Sequence, residues 1–361
     1  MTLKTQAFVL IDVDAAALNN AGKSTDSNYE NAVATKKIGK NRRMYAYVSG
    51  QAWRYWWRDT LQRQHGWKLS PVLKDGKIAF TEANPIVYPD DDVFGYMRAA
   101  GEKLVDEKTG KQTKGKDKTV TRTSPLKNSV LISIASVRAE SHWSTSSRHE
   151  GDPVPYAKEE YSAVMKGMFS LDLEQVGTFS SYNRTGFKNL NTELVAAAKG
   201  AGALEIMDPF YKGDTGDKAR LLRLPLEVRK QRIKDTIKAL KSISGGAMQT
   251  NNMVDVTPKF IILATTNSGN HPFSHIAGAE GPKADDKAVL NIDALKEVLR
   301  EYKDQFQGTV FIGKRAGFWD EYNEAIQALV ELDKQSYPKI QVGAVNEMID
   351  VYCTQLDNQL T

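Results

Sequence analysis

Cysteine is almost missing from these 361 residues, with Cys353 standing alone. A single thiol excludes an internal disulfide and any cysteine-based zinc cluster, and it fits a reducing compartment. Histidine is scarce as well. His65, His142, His149, His271 and His275 show no metal-ligand spacing with carboxylates, and the one i, i+4 pair, His271 and His275, is interrupted by Pro272. No metal and no cofactor are therefore expected. No apolar run approaches the length of a membrane span, and the run near the N-terminus is too short for a signal-peptide core followed by a cleavage site. The expectation is a cytoplasmic protein without membrane contact. No internal repeat is visible, and neither sign of charge dominates. A net charge of +5 admits an anionic partner but is far from histone-like, so where the charge sits matters more than its total.

What is present is an ordinary globular composition, 41% hydrophobic and 26% charged, with enough length for one elaborated domain or two plain ones. "TQAFVLIDV", residues 5–13, has the β-branched and aromatic content of a buried strand, and "NNAG" after it reads as a turn. From Ser49 the period changes. Trp53, Trp56, Trp57, Thr60 and Leu61 fall on one stripe, with Gln51, Arg54, Tyr55 and Arg58 on the other side, which predicts an amphipathic helix capped by Ser49. Residues 67–128 read as an insertion with a mobile basic tip at Lys108, Lys111, Lys114, Lys116, Lys118 and Arg122.

Alternation returns in "SVLISIASV", with Val130, Ile132 and Ile134 on one face, and in "MFSLDLEQV", with Phe169, Leu171 and Leu173. A polar loop, "SHWSTSSRHEGDPVPY", joins these strands. Residues 180–223 form a second irregular stretch, too long for an ordinary connection. Pro225 then opens a helix with Leu226, Ile233, Ile237 and Leu240 as its apolar stripe and Lys230, Lys234, Lys238 and Lys241 as a solvated flank, stopped by Gly245 and Gly246. "PKFIILATT" reads as a central strand, and "NIDALKEVLREYKDQF", "TVFIG" and "WDEYNEAIQALVELDK" as helix, strand and helix. With both insertions removed, the order is strand, helix, strand, strand, helix, strand. That is the α+β, ferredoxin-like pattern shared by RNA-recognition-motif (RRM-like) domains. The Lys/Arg-Gly-aromatic run that stacks bases on such a sheet is absent from the third strand.

One segment concentrates the basic charge. "KKIGKNRRMYAYVSGQAWRYWWRDTL" places Lys36, Lys37, Lys40, Arg42 and Arg43 ahead of the helix that carries Arg54 and Arg58. The plain reading is a solvated loop before a well-packed helix, with the tryptophans in the core and the arginines on its surface. The sharper one is a phosphate site, because a helix N-terminus at Ser49 to Gln51 offers unpaired amides and a positive dipole end.

The segment, with "ALNNAG" before it and "SISGGAMQTNNMVDVTPKFIILATTN" later, resembles the CRISPR-associated repeat-binding (RAMP) superfamily. Within it the chain is similar to the backbone subunit of type I Cascade complexes, in the DevR-like group of subtype I-B. Ser49, Gln51, Ala52, Arg54 and Arg58 carry the match. The resemblance implies a palm at residues 1–66, 129–179 and 225–290, a finger at 67–128, a thumb at 180–224, and an extension of the palm at 291–361. It also implies a non-catalytic, antiviral ribonucleoprotein subunit that polymerises along the crRNA in a helical filament and presents bases to target DNA. Its partners would be further copies of itself, a crRNA-end-capping subunit, and large and small Cascade subunits. Asn19, Asn20, Lys36, Lys37, Arg42, Arg43, Ser49, Gln51, Arg54 and Arg58 become the candidate RNA-binding residues, although Asn19 and Asn20 equally suit plain turn chemistry. Met207 and Phe210 are candidates to wedge beside a displaced base, or to pack in a hairpin. The rival readings are a type III-like backbone subunit cutting target RNA with loop residue Asp26, and a regulator without RNA.

Overall fold

The run Thr5 to Ile11 is buried without a break, so its strand must be covered on both faces and flanked on both edges. The computed structural model describes residues 2–23, 32–76, 78–98, 101–105, 112–117, 119–146, 150–183, 188–211, 220–281 and 287–360. Its large sheet contains β1 (Lys4–Ala16), β2 (Lys37–Lys40), β3 (Arg43–Val48), β4 (Leu131–Ser133), β5 (Val154–Asp172), β6 (Phe260–Thr266), β7 (Val310–Lys314) and β8 (Ile340–Gly343). Their order across the sheet is β8-β7-β6-β1-β5-β4-β3-β2. Every neighbouring pair is antiparallel except β7 with β8. The protein is thus α+β, built on a mostly antiparallel sheet.

Three helices cover one face: α1 (Gly50–His65), α4 (Leu226–Lys238) and α6 (Val345–Gln359); Val93 and Phe94 of α2 (Pro89–Phe94) join the same cluster, whereas α3 (Thr192–Gly200) and α5 (Ile292–Glu301) do not. The expected stripe of α1 is inward. Trp53 stacks on Trp57 with centroids 5.6 Å apart, and Trp57 meets Phe169 of β5 edge-on at 5.0 Å. The Trp57 indole donates to the Thr236 carbonyl of α4 at 2.7 Å, so its one polar atom is satisfied inside the core. On the opposite face, Phe8, Leu10, Phe260 and Ile262 are covered by residues of the 273–306 and 318–340 segments, among them Phe273, Leu295, Leu299 and Leu329.

Several elements depart from the sequence pattern. Residues 37–48 are a two-stranded hairpin, signalled only by the alternation of "YAYV". The stretch read as a polar loop is an arm in which Glu140–Ser146 pairs with the first half of β5. Most of its residues face solvent, which removes the hydrophobic period that marks a strand. In β4 the inward residue is Leu131, while Val130 lies outside. The stretch 180–223 is not irregular: Thr178–Ser180, Arg220–Arg223 and Leu204–Met207 form a sheet around Phe179, Leu190 and Leu222. Residues 320–331 make a short helix between two 3-10 turns, begun by Trp319 in the left-handed region. Helix α4 stops at Lys238, ahead of Gly245 and Gly246, and α6 falls outside the assigned elements altogether.

The most consequential departure is polar. Arg122, read as part of a solvated basic tip, is buried and turned inward. Its guanidinium donates to Asp92 Oδ1 at 2.5 Å, Arg232 of α4 donates to Asp92 Oδ2 at 2.7 Å, and the Gly177 amide completes the carboxylate's shell at 2.9 Å. Asp92 itself is fully buried on α2. Removing it strands two buried cations, so Asp92→Ala should cost about 3–5 kcal/mol, measurable by urea denaturation. A loss below about 1 kcal/mol would refute that account.

Candidate nucleic-acid interface

The basic segment folds as a hairpin because its strands register tightly: Lys37 opposes Ala46, Ile38 opposes Tyr45, Gly39 opposes Met44 and Lys40 opposes Arg43. Two residues close it, and both Asn41 and Arg42 have positive φ, 51° and 60°. Asparagine tolerates this region, whereas an arginine there is strained by about 1 kcal/mol or more. Like charges directly opposed at Lys40 and Arg43 also work against pairing. The tip is therefore a cationic knob held in a shape that its sequence does not favour.

Asn19 ties this hairpin to α1. Its side-chain oxygen accepts from the Ser49 amide at 3.1 Å, and its carbonyl accepts from the Lys36 amide at 2.8 Å. The Lys36 carbonyl accepts in turn from the Tyr47 amide at 3.0 Å. Ser49 is the N-cap, with extended φ and ψ of −61° and 148°, its hydroxyl accepting from the Ala52 amide at 3.2 Å. Gly50 and Gln51 keep the first-turn amides that have no intrahelical acceptor, and Gln51 is exposed. The structure thus gathers Asn19, Lys36, Ser49 and Gln51 at one junction. Asn20 lies beside Thr35, its side-chain oxygen buried and unpartnered among the described residues.

Lys37 reaches the other way, to Glu159 of β5 at 2.8 Å. Burial pushes the Glu159 carboxyl up, but hydrogen bonds from Lys37 and Thr35 outweigh it and hold the group below the usual range. Lys37 is therefore an anchor for the hairpin, while Arg42 stands exposed at the tip with Arg43 half-buried next to it.

Arg54 and Arg58 point elsewhere. Arg54 donates to the Leu126 carbonyl (2.8 Å), Asn128 Oδ1 (3.0 Å), the Phe94 carbonyl (2.7 Å) and the Ser124 hydroxyl (2.9 Å). Burial, with some help from Arg58, pulls its pKa down to about 10. Arg58 lies 4.2 Å over the Phe94 ring, with Asp90 3.9 Å from its Nε. Burial lowers its pKa, and Asp90 and Asp91 oppose that shift. Both guanidinium groups clasp the chain around α2. Their partners lie 32 or more positions away by number, so no local signal could have shown them.

Of the remaining candidates, Asp26, Lys108, Lys111 and Lys118 lie outside the described residues. Met207 and Phe210 are exposed on the rim of a cavity of about 690 Å³ that also takes in Phe179, Leu221 and Arg223. Lys234 and Lys241, read as solvated, pair with Asp357 and Asp350 of α6 at 2.9 and 2.7 Å.

The family model described as CRISPR-associated negative auto-regulator DevR/Csa2 matches residues 9–287. No curated protein matches. A chain of a solved structure described as a CRISPR RNA-guided surveillance complex is similar with a TM-score of 0.49 and 8% identity, covering 98% of this chain and 99% of that one. A chain of a complex described as CRISPR RNA-guided surveillance complex, pre-nicking, is similar with a TM-score of 0.49 and 10% identity, again covering 98% and 99%.

The split between clasping and exposed residues is measurable. Arg54→Ala leaves several inward acceptors without a donor and should destabilise the fold by about 2–3 kcal/mol. Arg42→Ala and Gln51→Ala should stay within about 0.5 kcal/mol of the parent. Chemical denaturation of the three variants checks this ordering, and a neutral Arg54→Ala would contradict it.

Proposed function

The chain belongs to the CRISPR-associated negative auto-regulator DevR/Csa2 family, and from that premise we propose that it is the guide-RNA-binding backbone subunit of a type I, Cascade-type effector complex. The observation that carries the reading is the cationic hairpin beside the N-terminus of α1, fixed there by Asn19 and Glu159. In this reading Asn19, Asn20, Lys36, Arg42, Arg43, Ser49 and Gln51 face the crRNA backbone, while Lys37, Arg54 and Arg58 hold the surface in shape. Phosphate contacts carry no base information, which suits a subunit that must accept any guide and leave recognition of target DNA to base pairing.

The fold supports the same reading. The four central strands, β6-β1-β5-β4, with α1 and α4 on one face, have the order of a ferredoxin-like, RRM-like palm. Residues 67–128 would then serve as finger and 180–224 as thumb. The subunit is non-catalytic in this proposal, and it coats the guide together with further copies of itself, an end-capping subunit and the large and small subunits.

The test is to co-express the protein with a repeat-spacer array and its processing enzyme, then sequence the RNA that stays bound. Processed guides protected at regular intervals are expected; RNA-free protein, or random fragments, would refute the role. Lys36→Ala with Arg42→Ala should weaken binding equally for unrelated spacers and flatten the salt dependence by about 0.7 per lost phosphate contact. A loss confined to particular spacers contradicts phosphate recognition.

A further inference from the structure

Among the described residues, the face of the sheet opposite α1 is covered only in part. Ala46 and Val48 of β3 point into the helix-covered core, so Tyr45 and Tyr47 point to the other side. Along one row of that side, Tyr47 opposes Ile132, Ile132 opposes Lys166, Lys166 opposes Leu10 and Leu10 opposes Phe260. Leu10 and Phe260 lie under the 273–306 cover, which ends at Lys166, whose ammonium donates to the Ser274 carbonyl at 2.9 Å, and at the buried Ile134. Beyond that boundary lies a strip made by β3 and β2: Tyr45 and Tyr47, with Ile38, Lys40 and Arg43 on the same side.

Three features set this strip apart from a solvated surface. Tyr45 and Tyr47 are half-buried, and among the described residues neither hydroxyl makes a hydrogen bond and neither ring meets another ring or a cation. Ile38 beside Tyr45 is 50% exposed. Lys40 lies on this side, close enough to Lys166 to add to the burial that pulls the Lys166 ammonium below its ordinary pKa. The carboxylates of this face, Asp12 and Asp14, belong to β1, three strand spacings or about 14 Å away, and Lys259 lies near Asp12.

Building on the RNA-binding reading, we propose that this strip is a second contact, on which single-stranded nucleic acid stacks its bases against Tyr45 and Tyr47 while Lys40 and Lys166 meet its phosphates. Aromatic faces two residues apart on a strand stand about 7 Å apart, and every base offers a π-face to them, so the platform is indifferent to sequence. Unpaired strand is the fitting occupant, because the bases of a duplex are already stacked on one another. The strip lies on the other side of the sheet from α1, so it is distinct from the contact at that helix's N-terminus.

The experiment uses the full-length protein and fluorescein-labelled oligouridylate and oligothymidylate, read by anisotropy. Tyr45→Ala with Tyr47→Ala should weaken binding about tenfold or more with the salt slope unchanged, whereas Tyr45→Phe with Tyr47→Phe should stay within about twofold of the parent. A loss for RNA alone assigns the strip to the guide; a loss for both probes assigns it to any unpaired strand, including displaced DNA. Should the alanine pair lose its fold, photocrosslinking of the parent to 4-thiouridine RNA decides, with adducts expected on Tyr45 or Tyr47. Equal affinity of parent and alanine pair, or crosslinks only elsewhere, overturns the inference and leaves the first reading intact. A parent that binds neither probe removes both.

Discussion

A single buried carboxylate holds the parts of this protein in register. Asp92 sits where three pieces of chain converge: its own helix α2, the turn through Gly177 at the base of the 178–223 sheet, and α4 of the main core. Charge there is tolerable only because Arg122, Arg232 and the Gly177 amide satisfy it together, which makes the arrangement all or nothing. Arg229 reinforces the same corner, donating to the carbonyls of Val176 and Leu173 at 3.0 and 3.1 Å, with its aliphatic part filling the space a side chain at Gly177 would need. Polar groups thus help to fix how α2 and the 178–223 sheet meet the main core.

The same logic explains what could be read in advance. β1, α1 and β6 announce themselves because each carries its burial in its own period, whether continuous, helical or apolar throughout. The hairpin of β2 and β3 is too short and too basic to do so. The arm at the start of β5 faces solvent over most of its length and has little burial to encode. Among the candidate site residues, the N-cap role of Ser49 was legible because capping is a local matter. The inward turn of Arg54, Arg58 and Arg122 was not, since an arginine in sequence looks the same whether its acceptors are water, phosphate or a carbonyl 72 residues on. Asp90, Asp91 and Asp92 show the same for acids: the run is buried whole, each carboxylate taken up by Ser70, Thr81 with Asn84, or the two arginines.

The region beyond the family match is not an appendage. β7, β8 and α6 follow residue 287, yet the Tyr352 hydroxyl donates to Thr5 Oγ1 at 2.7 Å on β1 and lies 3.0 Å from Thr265 Oγ1 on β6. The last helix therefore closes the core begun by the first strand, and it forms ion pairs with the lysine flank of α4. Its stripe of Val345, Met348, Ile349, Tyr352 and Leu356 is regular enough to find once the sheet is known to need a third covering helix.

The sheet also has to end somewhere, and a strand without a neighbour invites another chain to pair with it. At one end β8 offers only four residues; at the other, β2 is equally short and bears Lys37 and Lys40. An incoming strand would have to approach that cationic edge and align with the twisted two-residue turn at Asn41 and Arg42. The basic hairpin therefore also keeps the protein from joining edge to edge with its own kind, so the charge that suits an anionic ligand protects the free molecule against aggregation.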